Sequence, residues 1–315
     1  MSNNWINGMI GVAVADAFGS PVQFMERERL KENPITEMEY CDIYDKPAGA
    51  WTDDTSMALC MLDSIRSLRK VDAEDVMERF VKWLREGEYT PTGVAFDMGN
   101  TCVFAINSFR EHHDVDTCGR MGEYANGNGS LMRTLPVCLY YAEKTHSGEA
   151  TEEQAISDIH RLSSLTHNHI RANMACGLYF FCVREMIYGS GSMIERLQGG
   201  FDQGFAFYDT DRSAAKESAH YKRLRDLSEF RKLPEDQIRS SGYVVDTLEA
   251  AVWCLITTDN YRDCIIRAVN LGEDTDTVGA VAGGLAGIYY GYDAIPKEWR
   301  DDLLRREWIE EMCVK

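Results

Sequence analysis

Proline is scarce in this sequence, seven in 315 residues, and the scarcity favours long uninterrupted helices over many short strands. Basic residues are scarce as well. Lys and Arg number 33 against 51 Asp and Glu, a formal charge of −18, and no basic run exceeds a pair such as Arg305-Arg306. Nucleic acid is bound mainly by neutralising phosphates with Lys and Arg, and anionic lipid headgroups repel an acidic surface. Neither is expected as a partner. Met1-Ser2-Asn3-Asn4-Trp5 has no basic segment leading into an apolar one, so no signal peptide is expected and a cytoplasmic location is. The least charged stretch, Thr277 to Tyr292, is glycine-rich and shorter than the ~20 apolar residues of a membrane span. The ten cysteines include no Cys-x-x-Cys pair, and Cys60, Cys138, Cys176, Cys182 and Cys254 fall inside apolar helical patterns. Reduced, buried thiols are expected rather than a disulfide framework.

The remaining composition, 44% hydrophobic and 27% charged, is that of a folded globular protein. Helical spacing dominates it. Met57, Met61, Ile65 and Leu68 recur at i, i+4, i+8 and i+11, with Thr52 or Asp53 placed to cap the first turn. Val76, Phe80, Trp83 and Leu84 repeat the pattern, as do Val244, Val245, Leu248, Ala251, Val252 and Leu255 after Gly242. No segment alternates long enough to demand a sheet, so the sequence predicts an all-α protein. Residues 278 to 289 read as a central helix, because Gly279, Gly283, Gly284 and Gly287 cost helix propensity that close helix packing would offset. Residues 205–239 are polar and charged, which predicts a surface excursion or lid. One compact domain over 1–315 is expected.

Two acidic clusters stand at predicted helix starts, Trp51-Thr52-Asp53-Asp54-Thr55 and Gly272-Glu273-Asp274-Thr275-Asp276-Thr277. A single acid there would be read as a cap, favoured by the helix dipole. Two or three carboxylates within one turn repel one another unless a cation or proton intervenes. Hard divalent cations take oxygen ligands from carboxylates, hydroxyls and water. Two such clusters brought face to face would suit a pair of Mg²⁺ or Mn²⁺ ions. Zinc is disfavoured, since no cysteine accompanies the close histidine pair His167-x-His169.

Gly127-Asn128-Gly129-Ser130-Leu131-Met132-Arg133 is a glycine-rich segment ahead of an apolar helical run. Such a loop can point backbone N–H groups at an anion with a helix N-terminus behind it, although the same glycines could simply make a turn. Arg133 reads either as an anion partner or as a buried structural ion pair. In Phe96-Asp97-Met98-Gly99-Asn100-Thr101 one acid sits among apolar and small residues, a setting for acid/base work, with an N-cap as the competing reading.

Together with Val14-Ala15-Asp16-Ala17-Phe18-Gly19, Thr166-His167 and Ser241-Gly242-Tyr243-Val244-Val245-Asp246-Thr247, these segments resemble the ordered motifs of the ADP-ribosylglycohydrolases. The likeness is nearest to the dinitrogenase-reductase-activating glycohydrolase and ADP-ribosylarginine hydrolase branch, and it runs from about Gly8 to Gly291. The resemblance implies a helical fold with a dinuclear Mg²⁺ or Mn²⁺ centre in a cleft. It assigns Thr52, Asp53, Asp54, Asp274, Asp276 and Thr277 as metal ligands. Gly127, Asn128, Gly129 and Ser130 become the loop that holds the diphosphate and ribose, with Gly99, Asn100, Met132, His167 and Tyr243 also facing the substrate. Asp97 matches the acid that arginine-specific members use, and Asp53 and Asp54 share the catalytic work. One departure is plain: many relatives carry Glu where this chain has Gln23. A neutral amide cannot serve as a carboxylate base, though it can hydrogen-bond a bound water. Glu26, three residues on, reads as an ordinary surface glutamate, with a substitute base as the competing reading.

The activity implied is hydrolysis of the N-glycosidic bond between ADP-ribose and a protein arginine, with an ADP-ribosylated protein as substrate and ADP-ribose as product. Alternatives are a hydrolase of another ADP-ribosyl linkage and an immunity protein that neutralises an ADP-ribosylating toxin or transferase by contact. Retention of all six ligand-type side chains argues against a purely structural role.

Overall fold

Glycine decides how the centre of the molecule is built. In the computed structural model, which describes residues 3–314, seven helices carry the site: α1 (Asn4–Gly19), α2 (Asp53–Leu68), α3 (Asn100–His112), α4 (Leu135–His146), α5 (Ile170–Tyr188), α6 (Val244–Ile256) and α7 (Thr275–Tyr290). Helices α1 and α7 are buried almost all round, as helices at a protein's centre must be. They pack against each other with almost no side chain between them. A Cβ on Gly11 would stand 2.3 Å from the Gly283 carbonyl oxygen, and one on Gly287 would stand 2.2 Å from that of Asn7. The expected central helix is therefore present, and backbone-to-backbone contact offsets the propensity its glycines lose.

The same crossing continues to the C-terminal end of α1. There a Cβ on Gly19 would lie 2.6 Å from the Asp276 backbone, so α1 delivers its last turn directly onto the first turn of α7. Around this pair the other helices share one continuous apolar core. Among the described residues, strands are confined to a parallel pair of two residues each, Arg120–Met121 beside His167–Asn168. The all-α expectation holds.

The predicted apolar faces are buried at Met57, Met61 and Ile65 and at Val76, Phe80 and Trp83, whereas Leu68, at the last turn of α2, is exposed. All ten cysteines are buried and free. No helix among the described residues is long and apolar enough to cross a membrane. The polar segment 205–239 breaks into short helices, Arg212–Ser218 and Leu227–Phe230, with 3-10 turns between. Tyr221, Leu224, Leu227, Phe230 and Ile238 within it are buried, and Tyr221 Oη donates to the Arg171 carbonyl at 2.6 Å. These anchors fix to the core a segment whose composition reads as a free surface excursion.

Candidate active site

Two helix starts meet at the site. Thr52 caps α2 and Asp274 stands at the N-cap of α7. Across the junction Thr277 Oγ1 donates to Asp54 Oδ2 at 3.3 Å. The turn ahead of α7 is unusual, with Gly272 and Glu273 both at positive φ. A Cβ on Gly272 would stand 2.8 Å from the backbone of residues 25 and 27, so only glycine fits. The turn is clamped to the chain after α1 by Phe24 N–H to Glu273 O at 2.7 Å and Glu273 N–H to Met25 O at 2.8 Å. Arg27 adds three bonds, to the carbonyls of Leu271, Glu235 and Ile238.

Asp53, Asp54, Thr52, Asp276 and Thr277 are buried and Asp274 is half-buried. Burial, and then neighbouring carboxylates, push Asp53, Asp54 and Asp276 well above the usual carboxylate range. Asp54 Oδ1 and Asp276 Oδ2 are buried without a hydrogen-bond partner. Orphaned carboxylate oxygens of this kind are costly unless something fills the gap. The donor set is all oxygen and fits a hard divalent cation. As the side chains stand, no three His, Cys, Asp or Glu among the described residues converge closely enough to hold an ion. The fit therefore lies in the chemistry of the donors and their orphaned oxygens.

Asp16 is the residue that motif reading quoted without a role. Fully buried on α1, it accepts from Thr52 N at 2.9 Å, Thr55 N at 3.0 Å and Thr55 Oγ1 at 2.6 Å. It thereby caps the first turn of α2 from another helix. Burial raises its carboxyl to about 6, with the bonds from Thr55 and Thr52 pulling the other way. The sequence signal was an acid inside an otherwise apolar helix.

The cleft above the carboxylates has a volume of about 250 Å³ and is lined by Gln23, Phe24, Asp53, Asp54, Asp97, Gly99, Asn100, Thr101, Cys102, Gly127, Asn128, Gly129, Met132, His167, Asp274 and Thr277. Residues far apart in sequence are thus gathered, although Thr52 and Asp276 do not line the cleft. Asn128 joins the loop to the acidic cluster, its Nδ2 donating to Asp274 Oδ2 at 2.6 Å and to Thr247 Oγ1 at 2.9 Å. The loop itself is held by the Gly127–Tyr243 bridge and by Asn128 N–H to Gly242 O at 3.0 Å. His167 packs beneath it, where a Cβ on Gly129 would come within 2.8 Å of the imidazole.

Thr166 Oγ1 accepts from Arg133 Nη2 at 2.8 Å and lies 2.8 Å from His167 Nδ1. When the hydroxyl donates to Nδ1, the imidazole proton is on Nε2. Burial, and then the Arg133 charge, hold His167 down at about 3, so it stays neutral.

Several expectations are corrected. No helix N-terminus backs the glycine loop directly: residues 129–133 form turns and α4 starts only at Leu135, with Thr134 at the N-cap position making no side-chain cap bond. Ser130 points into the core, where its hydroxyl accepts from Ser163 Oγ at 2.9 Å. Arg133 is buried and donates to the carbonyls of Gly129 and Leu162, so it is neither an anion partner nor half of an ion pair. Tyr243 borders the loop but its ring faces the Arg171 guanidinium, 5.7 Å away, rather than the cleft. Glu26, by contrast, is the exposed surface glutamate its position suggests and does not line the cleft. Asp97 is half-buried and caps nothing; Gly99 holds the N-cap of α3. Sequence reading missed Tyr44, which reaches Asp97 and Gln23 from a separate loop.

Comparison with known proteins agrees with this geometry. A family model described as ADP-ribosylglycohydrolase matches residues 3–315. A protein of Serratia proteamaculans (strain 568) named ADP-ribosylarginine hydrolase Tri1 is 32% identical over 97% of this chain and 76% of its own. The ADP-ribosyl-[dinitrogen reductase] glycohydrolase of Rhodospirillum rubrum is 30% identical over 95% of this chain and 89% of its own. A solved structure titled ADP-ribosylglycohydrolase-related protein complex superposes with a TM-score of 0.80 at 30% identity, covering 99% of this chain and 96% of that one.

Proposed function

This chain belongs to the ADP-ribosylglycohydrolase family, and from that membership we propose that it releases ADP-ribose from arginine side chains of modified proteins. The observation that carries the arginine reading is the position of Asp97, half-buried at the cleft that holds both acidic helix starts, with the neutral Gln23 on the same wall. Thr52, Asp53, Asp54, Asp274, Asp276 and Thr277 would hold two Mg²⁺ or Mn²⁺ ions, which when bound supply positive charge to substrate oxygens and make water more acidic.

The remaining work falls to the chain. The bond from the anomeric carbon to the guanidine nitrogen breaks, and a bond to a water oxygen forms. One proton of that water ends on the leaving guanidine. Asp97 takes the proton from water on one side of this exchange and is the group that returns it on the other. The backbone N–H groups of Gly127 and Gly129 are available to the diphosphate, that of Asn128 being bonded to Gly242 O. With its proton on Nε2, His167, directly under that turn, adds a neutral donor. Acidic walls also suit the arginine that departs as a cation.

The partner implied is a protein modified by an arginine-specific ADP-ribosyltransferase. Free buried thiols support a reducing, cytoplasmic setting. The test is incubation with arginine-, serine- and glutamate-linked ADP-ribosylated proteins, each with Mg²⁺, with Mn²⁺ and with EDTA. Release confined to the arginine linkage and abolished by EDTA is expected. Release from the other linkages alone overturns the arginine reading, and full activity in EDTA overturns the role of the ions.

A further inference from the structure

We propose that Tyr44 is a positioning residue for Asp97, fixing its carboxylate at the cleft and keeping it hydrogen-bonded before and after it gives up its proton. The role rests on the arginine-hydrolase reading above. Tyr44 Oη lies 2.5 Å from Asp97 Oδ1 and 2.9 Å from Gln23 Oε1.

The loop that carries Tyr44 is built to hold it there. Cys41 and Lys46 close it by paired backbone bonds of 2.9 and 3.1 Å. Cys41 at its base contacts both the hydroxyl and the carbonyl of Ser20 at 3.4 Å, just past the end of α1. The Tyr44 ring packs on Phe96 with centroids 5.3 Å apart, one residue before Asp97. Asp97 needs such an anchor. Its φ of 53° is in the left-handed region, and the residues after it, Met98, Gly99 and Asn100, are exposed. Nothing on its own turn would stop the carboxylate from swinging.

A phenol has one hydrogen to share between two neighbours. With Asp97 ionised, that hydrogen goes to the carboxylate, the stronger charge-assisted bond. With Asp97 protonated, the carboxyl donates to Tyr44 and Tyr44 donates to the Gln23 oxygen. Gln23 is held in place from its other side, because its amide also bonds the Asp274 carboxyl and lowers its pKa. The bond between Tyr44 and Asp97 is thus kept in both states. Burial, and then Asp97, hold the phenol far above its ordinary range, so Tyr44 itself keeps its proton throughout.

The experiment is steady-state release of ADP-ribose from an arginine-modified protein by wild type, Tyr44→Phe, Asp97→Asn and the double variant. Tyr44→Phe retains the ring on Phe96, and its thermal midpoint checks the fold. The expected result is a fall in kcat of about tenfold or more, on the scale of a disturbed acid/base group, with KM within about twofold. In the Asp97→Asn background the Tyr44 change should add no further loss. An unchanged kcat, an effect confined to KM, or the same fold-loss in both backgrounds overturns the role. A wild type that acts on another linkage but not on arginine overturns the arginine reading instead, and the same four proteins on that linkage still decide for or against Tyr44.

Discussion

Asn128 Nδ2 donates to Asp274 Oδ2 at 2.6 Å across 146 residues of sequence, and this bond joins the glycine loop to the acidic start of α7. The bond restrains the Asp274 carboxyl and opposes the upward push of burial. Asn128→Asp would set a carboxylate against a carboxylate there. We expect the thermal midpoint to fall, with a loss of about 1.5–3 kcal/mol typical of a broken bond to a charged group. Asn128→Ala should cost less, because it removes a donor without adding charge. Equal melting of the two variants would falsify this account.

Asp16 answers the buried donors of Thr52 and Thr55 on α2. Asp16→Ala leaves three of them without acceptors, at about 1–3 kcal/mol each before relaxation. Urea denaturation should show a loss of several kcal/mol. Asp16→Asn keeps one carbonyl acceptor and should lie between. A loss under about 1 kcal/mol for the alanine variant would show that α2 does not depend on this cap.

Asp276 is expected to exchange stability for binding. Its buried Oδ2 has no partner and its neighbours are Asp97, Asp54 and Asp274. In metal-free buffer, Asp276→Asn should melt higher than wild type, because it removes an acid whose charged form burial and the neighbouring carboxylates disfavour. Mg²⁺ or Mn²⁺ should raise the wild-type midpoint and leave that of the variant nearly unchanged. ADP-ribose release should be abolished. A variant that responds to the ions as wild type does would remove Asp276 from the ligand set.

The crossing of α1 and α7 tolerates no side chain. A Cβ at Gly11 would press within 2.3 Å of the Gly283 oxygen, whereas one at Gly99 would meet nothing within 4 Å. Gly11→Ala should destabilise by several kcal/mol, beyond the ~1–3 kcal/mol of ordinary overpacking, because the obstacle is backbone. Gly99→Ala should melt within a degree or two of wild type. Calorimetry on the two variants separates the cases.

His167 gives the pH dependence. Its imidazole is held at about 3 in the fold against 6.5 as its ordinary value. Between these values the unfolded chain binds the proton that the folded one refuses, so stability from this group is complete above 6.5 and falls as pH is lowered toward 3. The slope approaches about 1.4 kcal/mol per pH unit. Wild type should therefore lose more stability from pH 7 to pH 5 than His167→Gln does, measured by urea midpoints at each pH. Parallel losses would mean that His167 is not held neutral.

Much of the fold was legible in the chain because it follows from local pattern. The apolar spacing of 57–65 and 244–255 produces helices wherever a core exists to receive them, and Thr52 marks a start because its hydroxyl can answer a free N–H. The acidic pairs at 53–54 and 274–276 were legible for a similar reason, since carboxylates so close together are expensive without a counterion. Gln23 stood out as an amide where a carboxylate was expected.

Side-chain direction was not legible. Ser130 and Arg133 belong to the right loop, yet both turn into the core, because the Ser163 hydroxyl and the carbonyls of Gly129 and Leu162 lie on that side. Nothing in a local pattern states which neighbours packing will supply. Tyr44 was invisible as a site residue for the same reason, and Asp16, though it stood out as an acid in an apolar helix, had no legible partner. Each acts on a partner about forty or fifty positions away, and only the assembled helices bring the pair together.

By itself, then, the sequence determined that the protein would be helical and that two acidic helix starts needed a cation or a proton. Tertiary structure alone decided that those starts face each other. The glycines of α1 and α7 let two backbones touch, and Gly19 sits directly on Asp276. That contact places Thr277 Oγ1 3.3 Å from Asp54 Oδ2, so that two clusters more than two hundred residues apart become one site.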